Sequence, residues 1–270
     1  MYEEFYGFRQ SPFNITPDPR FLFYSDKHRE AFNHVLYGLK ERKGFIQITG
    51  EVGAGKTTLC RALLDELGPS YKTALILNPI MTGDQLIWLL LAELGQPPQH
   101  YDRMRNLQVL NEFLLEQLPL GNDVVLFIDE AQDLPLELME EVRLLSNLET
   151  DQRKLLQIVL MGQPELRTVL DDPSLRQLRQ RITVRYHLSP LSYGETGRYI
   201  GHRMQIAGAN SRPYFARGAL RKIHRYSGGV PRLINAVCDK TLLCGYVTGA
   251  DRLTARHVRR AILELEGKAG

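Results

Sequence analysis

The sequence predicts an α/β fold, in which a parallel five-stranded sheet carries helices on both faces, followed by a smaller all-α domain. Short apolar, β-branched runs alternate with amphipathic helical patterns as far as residue 188. Such alternation is typical of a parallel sheet with right-handed crossover connections. Past Pro190 the strand patterns stop and only helical patterns follow. We therefore expect an α/β domain over residues 1–190 and a helical lid domain over residues 191–270.

Five segments have the length and apolar content of buried strands, at residues 45–49, 73–77, 124–128, 155–161 and 182–187. Apolar residues at helical spacing predict helices over 26–40, 57–67, 82–94, 103–118, 136–148, 192–207, 213–226, 231–246 and 254–265. The first 24 residues are rich in proline and aromatic side chains, so we expect them to pack on the first domain. They should contain no regular helix, because Pro12, Pro17 and Pro19 interrupt the hydrogen-bond ladder.

The composition is that of an ordinary soluble protein, with 43% hydrophobic and 24% charged residues. A net charge of +3 does not by itself indicate a nucleic-acid partner, although arginines are dense after residue 197. The longest apolar stretch, residues 86–92, is far shorter than the ~20 residues that span a bilayer. Cys60, Cys238 and Cys244 lack metal-ligand spacing and are expected to be buried reduced thiols. We therefore expect a cytoplasmic chain whose association with the inner membrane comes through partners or through sequence outside these 270 residues.

The strongest motif is Gly-Glu-Val-Gly-Ala-Gly-Lys-Thr at residues 50–57, which fits the phosphate-binding pattern of Gly, four residues, Gly-Lys-Ser/Thr without a mismatch. It lies between a predicted strand and a predicted helix, an arrangement that points backbone N–H groups at one anion. The alternative is a glycine turn that happens to precede a helix. The residues assigned to nucleotide binding are Gly50, Glu51, Val52, Gly53, Ala54, Gly55, Lys56, Thr57 and Thr58. Lys56 would neutralise the β- and γ-phosphates of ATP, and Thr57 would complete the shell of Mg²⁺.

A second nucleotide motif closes the third predicted strand, where the apolar run 124–128 ends in Asp129 and Glu130. Asp129 would hold Mg²⁺ through water, and Glu130 would polarise the water that attacks the γ-phosphate. Two acids after a strand are common by chance, but here they follow a complete phosphate-binding loop. Together the two motifs predict ATP hydrolysis on a P-loop NTPase three-layer sandwich.

These motifs, with a polar residue ending the fourth strand and an arginine in a C-terminal helical domain, resemble an AAA+ ATPase. Further stretches resemble the ExeA type, general secretion pathway protein A and its relatives from pilus and exosortase-linked loci. These stretches are Tyr-Gly-Phe-Arg-Gln-Ser-Pro-Phe at 6–13, Asp-Glu-Ala-Gln at 129–132, Gly-Gln-Pro-Glu-Leu at 162–166 and Gly-Gly-Val-Pro-Arg-Leu-Ile-Asn at 228–235. Longer members add a membrane span and a periplasmic peptidoglycan-binding region, neither of which is expected within these 270 residues.

The resemblance implies further roles. Gln163 would be sensor 1, which orients the attacking water, unless it is a turn-forming amide before Pro164. Asn78 matches a position that can hold the catalytic glutamate inactive, or simply ends the second strand. Arg232 would be sensor 2, which reaches the nucleotide from the lid, with a solvated helix arginine as the alternative.

Arg181 stands where relatives carry an arginine finger, which stabilises the γ-phosphate in a neighbouring subunit. Arg176 and Arg179 are close enough to take that role instead, and a structural arginine is the alternative for all three. A finger of this kind implies that the chain associates with itself, as a nucleotide-dependent dimer or ring.

The favoured function is an ATP-driven assembly or remodelling factor for a membrane-associated secretion, pilus or polysaccharide-export machine. Hydrolysis would change the angle between the two domains and so reshape the contact with a partner. The alternative is an ATP-dependent DNA-binding protein of the transposition or replication type. Its phosphate contacts would come from Arg217, Arg221, Arg225, Arg256, Arg259 and Arg260, which otherwise form a solvated helical surface. A regulator that binds nucleotide and hardly turns over is a third possibility, and Glu130 argues against it.

Overall fold

The computed structural model describes residues 1–14, 18–77, 79–98, 102–150, 153–210 and 212–268. The chain divides into two compact units. We name Arg29–Gly50 with Leu59–Leu188 the sheet unit, and Met1–His28, Glu51–Thr58 and Ser189–Gly270 the helical unit. The division expected from composition places residues 1–28 and 51–58 with the sheet instead.

The strands, in chain order, are β1 (Phe45–Gly50), β2 (Tyr71–Ile76), β3 (Asp123–Ile128), β4 (Leu156–Gly162), β5 (Ile182–Leu188), β6 (Tyr214–Phe215) and β7 (Arg252–Leu253). The helices are α1 (Tyr2–Tyr6), α2 (Asp26–Lys40), α3 (Lys56–Leu67), α4 (Gly83–Glu93), α5 (Arg103–Gln117), α6 (Leu136–Leu145), α7 (Glu165–Leu170), α8 (Arg176–Arg181), α9 (Tyr193–Ile206), α10 (Arg217–Ser227), α11 (Pro231–Val247) and α12 (Ala255–Leu265). The helices α4 and α9 begin with complete capping boxes: the Thr82 and Ser192 side chains each accept from the backbone N–H three residues on.

The sheet unit contains the predicted five-stranded parallel sheet, in the order β2-β3-β4-β1-β5. After β1 the chain crosses β4 and β3 to form β2 at one edge of the sheet. It then returns in the opposite direction, strand by strand, from β2 to β3 and β4. Right-handed crossovers that run in opposite directions place their helices on opposite faces. The carboxyl end of β1 is therefore a point where the strand order reverses, which is where open α/β sheets bind ligands.

Both faces of the sheet are apolar and covered. Alternate residues such as Leu126 and Ile158 join one core cluster with the buried faces of α4 to α8. The intervening residues, such as Ile48 and Phe127, are fully buried as well. This is why the strand sequences are continuously apolar rather than alternating.

The helical unit has its own core, built by α9 to α12 and by the N-terminal aromatic residues. Tyr2, Tyr6, Phe8 and Phe13 belong to the same buried cluster as the apolar faces of these helices. Packing with α9, α11 and α12 therefore explains why residues 1–28 group with the C-terminal helices.

Two predictions for this unit are wrong in detail. A five-residue helix, α1, occupies part of the segment expected to lack one, because it ends before the first proline at Pro12. Pro17 lies outside the described residues. The C-terminal domain, expected to be all-helical, also has a parallel pair of two-residue strands, β6 and β7. Strands this short carry no periodicity that a sequence pattern reveals. Among the described residues, no helix combines the length and apolarity that crossing a membrane requires.

Candidate nucleotide-binding site

The phosphate-binding loop follows the last residue of β1, Gly50, and ends where α3 begins at Lys56. Gly53 and Gly55 have φ of +78° and +103°, conformations that residues with a Cβ rarely adopt. The loop closes on itself, since Ala54 N–H donates to the Glu51 carbonyl at 3.0 Å and Lys56 Nζ donates to the same oxygen at 3.3 Å. The sequence motif thus folds into a compact turn around a lysine that is only 5% exposed.

Within the helical unit, Arg232 lies against this loop. Its backbone N–H donates to the Gly53 carbonyl at 3.3 Å, at the first turn of α11. A Cβ on Gly53 would come within 2.4 Å of the Arg232 Cβ, so only glycine permits this approach. The Arg232 side chain itself is exposed. The structure therefore brings together the loop and the residue expected to act as sensor 2.

His28, to which no sequence motif assigned a role, also contacts the loop. It is 4% exposed, and its Nε2 lies 3.1 Å from the Ala54 carbonyl oxygen and 3.1 Å from where a Cβ of Gly55 would stand. Because a carbonyl only accepts, Nε2 carries the proton, and Nδ1 accepts from the Ser25 hydroxyl at 2.7 Å. Burial lowers the pKa of His28, which favours this neutral form. Ser25, a cap-type residue directly before the predicted helix 26–40, with histidine three residues on, is the sequence signal that could have found it.

In the sheet unit, Asp129 and Glu130 follow β3 directly. Asp129 is 3% exposed, and its Oδ1 accepts from the Glu130 backbone N–H at 2.9 Å. Glu130 has φ of +50°, a left-handed conformation that costs free energy in a residue other than glycine. Such strain is held in place by surrounding contacts and concentrates at functional sites.

Two amide side chains hold the Glu130 carboxylate. Gln132 Nε2 and Gln163 Nε2 both donate to its Oε2, at 2.9 and 3.2 Å. Gln132 Oε1 also accepts from the Gln163 backbone N–H at 2.9 Å. A Cβ on Gly162 would stand 2.7 Å from that oxygen, so glycine makes room for the bridge. Gln163 and Gln132 therefore both meet Glu130, and Gln132 is an additional member of the cluster to which the sequence motif assigned no role.

The three candidate arginine fingers lie on α8 and differ in their contacts. Arg181 donates to the Ser146 hydroxyl at 2.5 Å, and Arg179 pairs with Asp171 at 3.0 Å. Arg176 is exposed and makes no side-chain hydrogen bond or ion pair with the other described residues. Asn78, the fourth residue with an implied role, lies outside the described residues.

Comparison with known proteins gives a domain match and a relative. A model of the AAA domain matches residues 39–170. General secretion pathway protein A of Aeromonas hydrophila is 44% identical over 271 residues, which cover 99% of this chain. The same match covers 49% of the relative, so the chain spans about half of that protein's length.

Solved structures confirm the fold. Cdc6p of Pyrobaculum aerophilum superposes with a TM-score of 0.69 at 17% identity, covering 92% of this chain and 71% of that one. The Aeropyrum pernix ORC1 protein, solved in complex with DNA, gives 0.66 at 14% identity, covering 95% and 70%. Identities this low show a shared architecture only. Residues 39–170 thus match an AAA domain on a P-loop NTPase fold, and the chain is similar to general secretion pathway protein A over nearly all of its length.

Proposed function

We propose that this chain hydrolyses ATP and uses the energy to assemble or remodel a membrane-associated secretion, pilus or polysaccharide-export machine. The observation that carries the hydrolytic part is the Glu130 carboxylate, held by two amides in a strained backbone conformation directly after β3. The link to a membrane machine rests on the relationship to a general secretion pathway protein.

Glu130 is the base in this proposal. Both amides donate to Oε2, and no side chain of the described residues donates to Oε1. Oε1 can therefore accept a hydrogen bond from a water and take its proton as the oxygen attacks the γ-phosphate. Gln163, bonded to the same carboxylate, would orient that water, and Arg232 would reach the nucleotide from α11.

The phosphate loop and Lys56 would bind the phosphates of ATP, through backbone N–H groups and one ammonium charge. The donor set also fits Mg²⁺, because the Thr57 hydroxyl and the Asp129 carboxylate are hard oxygen ligands. When bound, the ion would neutralise charge that develops on the β- and γ-phosphate oxygens.

The proposal includes self-association as a dimer or ring, in which Arg181 serves the active site of a neighbouring subunit. Its present bond to the Ser146 hydroxyl would have to break for it to do so. The chain would act on the cytoplasmic side of the inner membrane and be recruited there by its partner.

Two substitutions test the ATPase proposal together. Lys56→Ala should weaken ATP binding more than tenfold, a loss of over ~1.4 kcal/mol. Glu130→Gln should retain binding but lose at least ~100-fold in kcat, because the base is gone and the shape is kept. Lys40→Ala, at an exposed position in the last turn of α2, is the matched control. Unchanged turnover in Glu130→Gln would refute the assignment of the base, and unchanged binding in Lys56→Ala would refute the nucleotide site.

The partner proposal needs a separate experiment. Glu130→Gln protein loaded with ATP should hold its partner longest, so crosslinking in cells should enrich an inner-membrane protein of an export machine. Lys56→Ala protein, which cannot load ATP, serves as the control. Equal recovery of membrane proteins with both variants would contradict an ATP-driven role at such a machine.

A DNA-binding role is the second candidate, and one surface of the helical unit favours it. The helices α10 and α12 pack together, and six arginines on them are exposed: Arg217, Arg221, Arg225, Arg256, Arg259 and Arg260. Phosphate contacts from such a surface would weaken steeply with salt. A gel shift across a salt series decides, since absence of binding even at low salt removes this candidate.

A further inference from the structure

A cavity in the sheet unit lies apart from the phosphate loop and the Glu130 cluster, and the one residue it shares with the assignments above is Arg179, a candidate finger. Its volume is about 270 Å³, and β1, β5, α7 and the start of α8 line it through Gln47, Thr49, Arg167, Leu170, Asp171, Arg179, Arg185 and Tyr186. At ~30 Å³ for each water molecule, this is room for about nine waters. The cavity is therefore large enough for a small organic molecule with one or two charged groups.

The lining is dominated by cations. Arg167, Arg179 and Arg185 contribute three guanidinium groups, against the single carboxylate of Asp171. That carboxylate is already engaged, since its Oδ1 accepts from Arg179 at 3.0 Å. Arg185 Nη2 donates to the Arg179 carbonyl at 2.7 Å. The other guanidinium N–H groups of Arg185 make no hydrogen bond to the described residues, so they can donate to a ligand. The excess charge of the lining is positive.

Two other polar side chains that line the cavity, Tyr186 and Thr49, already take part in hydrogen bonds. The Tyr186 hydroxyl donates to Glu30 at 3.0 Å, and the Thr49 hydroxyl is bonded to His187 Nδ1 at 3.0 Å. Because these two hydroxyls are already bonded, the arginines and one amide are the groups that can recognise a ligand.

That amide belongs to Gln47, which stands directly opposite Arg185 in the parallel pairing of β1 with β5. Gln47 is 4% exposed, and its Nε2 has no hydrogen-bond acceptor among the described residues. A buried donor without an acceptor is costly and uncommon in folded proteins. An acceptor that enters the cavity would satisfy it.

We propose that this cavity binds a small phosphate-bearing molecule, held by Arg167 and Arg185 and by the Gln47 amide. A phosphoryl group offers several acceptor oxygens and negative charge, which matches a lining of guanidinium and amide donors. The three residues that hold the ligand belong neither to the phosphate loop nor to the Glu130 cluster and are not candidate fingers, so this site can be tested separately from the proposed ATPase function.

The test is calorimetric titration with inorganic diphosphate and, separately, with glucose 1-phosphate. The whole chain is used with Lys56→Ala as the background, so that the phosphate loop does not contribute. One ligand should bind per chain, and adding Arg185→Gln should weaken it at least about tenfold, since a bond to a charged group is lost. Gln47→Leu should weaken it severalfold with no change of charge. Tighter binding of the sugar phosphate would show that the ligand has an organic body.

Arg252→Gln, on β7 in the helical unit, is the matched control, because it removes one exposed positive charge elsewhere. Equal weakening by Arg252→Gln and Arg185→Gln would overturn the proposal, since only general charge would then matter. Absence of saturable binding below about 1 mM for both ligands would also overturn it. Arg167→Gln is a second variant that should weaken binding, and because the Arg167 side chain is exposed, the substitution should not disturb the fold.

Discussion

His28 connects the start of α2 to the phosphate-binding loop through two hydrogen bonds of one imidazole ring. Its Nε2 bonds to the Ala54 carbonyl and its Nδ1 to the Ser25 hydroxyl. Since the ring is buried, no water can replace either bond cheaply. We infer that His28 positions the loop for phosphate binding.

Replacing His28 should mainly change the affinity of the phosphate-binding loop for ATP. We expect His28→Ala to raise the Kd for ATP about tenfold, the value of roughly one buried hydrogen bond. His28→Gln retains an N–H group and should stay within about threefold of the wild type. Titration with a fluorescent ATP analogue measures both. An equal loss in His28→Gln and His28→Ala would contradict a specific role for Nε2.

The same residue predicts a pH dependence of stability. Burial lowers the pKa of His28 in the folded chain below its ordinary value near 6.5. Below about pH 6.5 the unfolded chain therefore binds more protons, and the free energy of unfolding falls with acidity. His28→Gln lacks this contribution, so the stability advantage of the wild type over it should shrink from pH 8 to pH 5. Urea unfolding at both values checks this, and a constant difference would contradict it.

Substituting Gln132 tests whether the hydrogen bonds that hold the Glu130 carboxylate matter for turnover. Its amide donates to Glu130 and accepts from the Gln163 backbone, so Gln132→Ala removes both bonds at once. We expect kcat for ATP to fall about 10- to 100-fold because the base loses its orientation, while ATP affinity is unchanged. Gln108→Ala, at an exposed position on α5, is the control. Loss of affinity instead of turnover would contradict a role confined to the base.

At the scale of the elements, the N-terminal segment is a structural part of the helical unit. Phe13 is 1% exposed and meets the Phe215 ring edge-on at 6.3 Å between centroids. On either side of it, the carbonyls of Pro12 and Asn14 accept from the buried guanidinium of Arg203, at 2.6 and 3.1 Å. The buried guanidinium therefore has hydrogen-bond acceptors, namely backbone carbonyls that in a regular helix would accept from the helix's own N–H groups.

Phe13→Ala should therefore cost about 3–5 kcal/mol of unfolding free energy, in the range of large core aromatics. Tyr37→Ala, an aromatic on α2 that is 56% exposed, is the control and should cost little. Chemical denaturation of both variants measures the difference. A loss of less than ~1 kcal/mol in Phe13→Ala would show that the segment is peripheral to the core.

At the scale of the whole molecule, the proposed finger makes activity depend on a second copy. A chain with Glu130→Gln keeps its arginine, and a chain with Arg181→Ala keeps its base. Each alone should be nearly inactive, while an equal mixture should regain turnover well above the sum of the two. Steady-state ATPase assays of mixtures measure this, and Arg176→Ala or Arg179→Ala in place of Arg181→Ala identifies the finger. No recovery in any of the three mixtures would contradict a site shared between subunits.

Much of the fold could be predicted because periodicity and motifs are local. The run at 124–128 is wholly apolar and became β3, buried on both faces. The phosphate loop follows from the fixed spacing of its glycines and Lys56, and its two positive-φ glycines agree with that pattern. Strand order, in contrast, leaves no trace in any single segment, because it is decided by which edges pair.

The α/β class, the phosphate-binding loop and the acidic pair after β3 follow from the sequence alone, since each depends on residues that are neighbours along the chain. Folding in three dimensions selects which distant residues meet: His28 with Ala54, Gln163 with Glu130, and Gln47 with Arg185. It also moved the N-terminal aromatic residues into the core of the helical unit. These choices depend on packing and on the pairing of buried polar groups, which bring together parts of the chain that no local pattern connects.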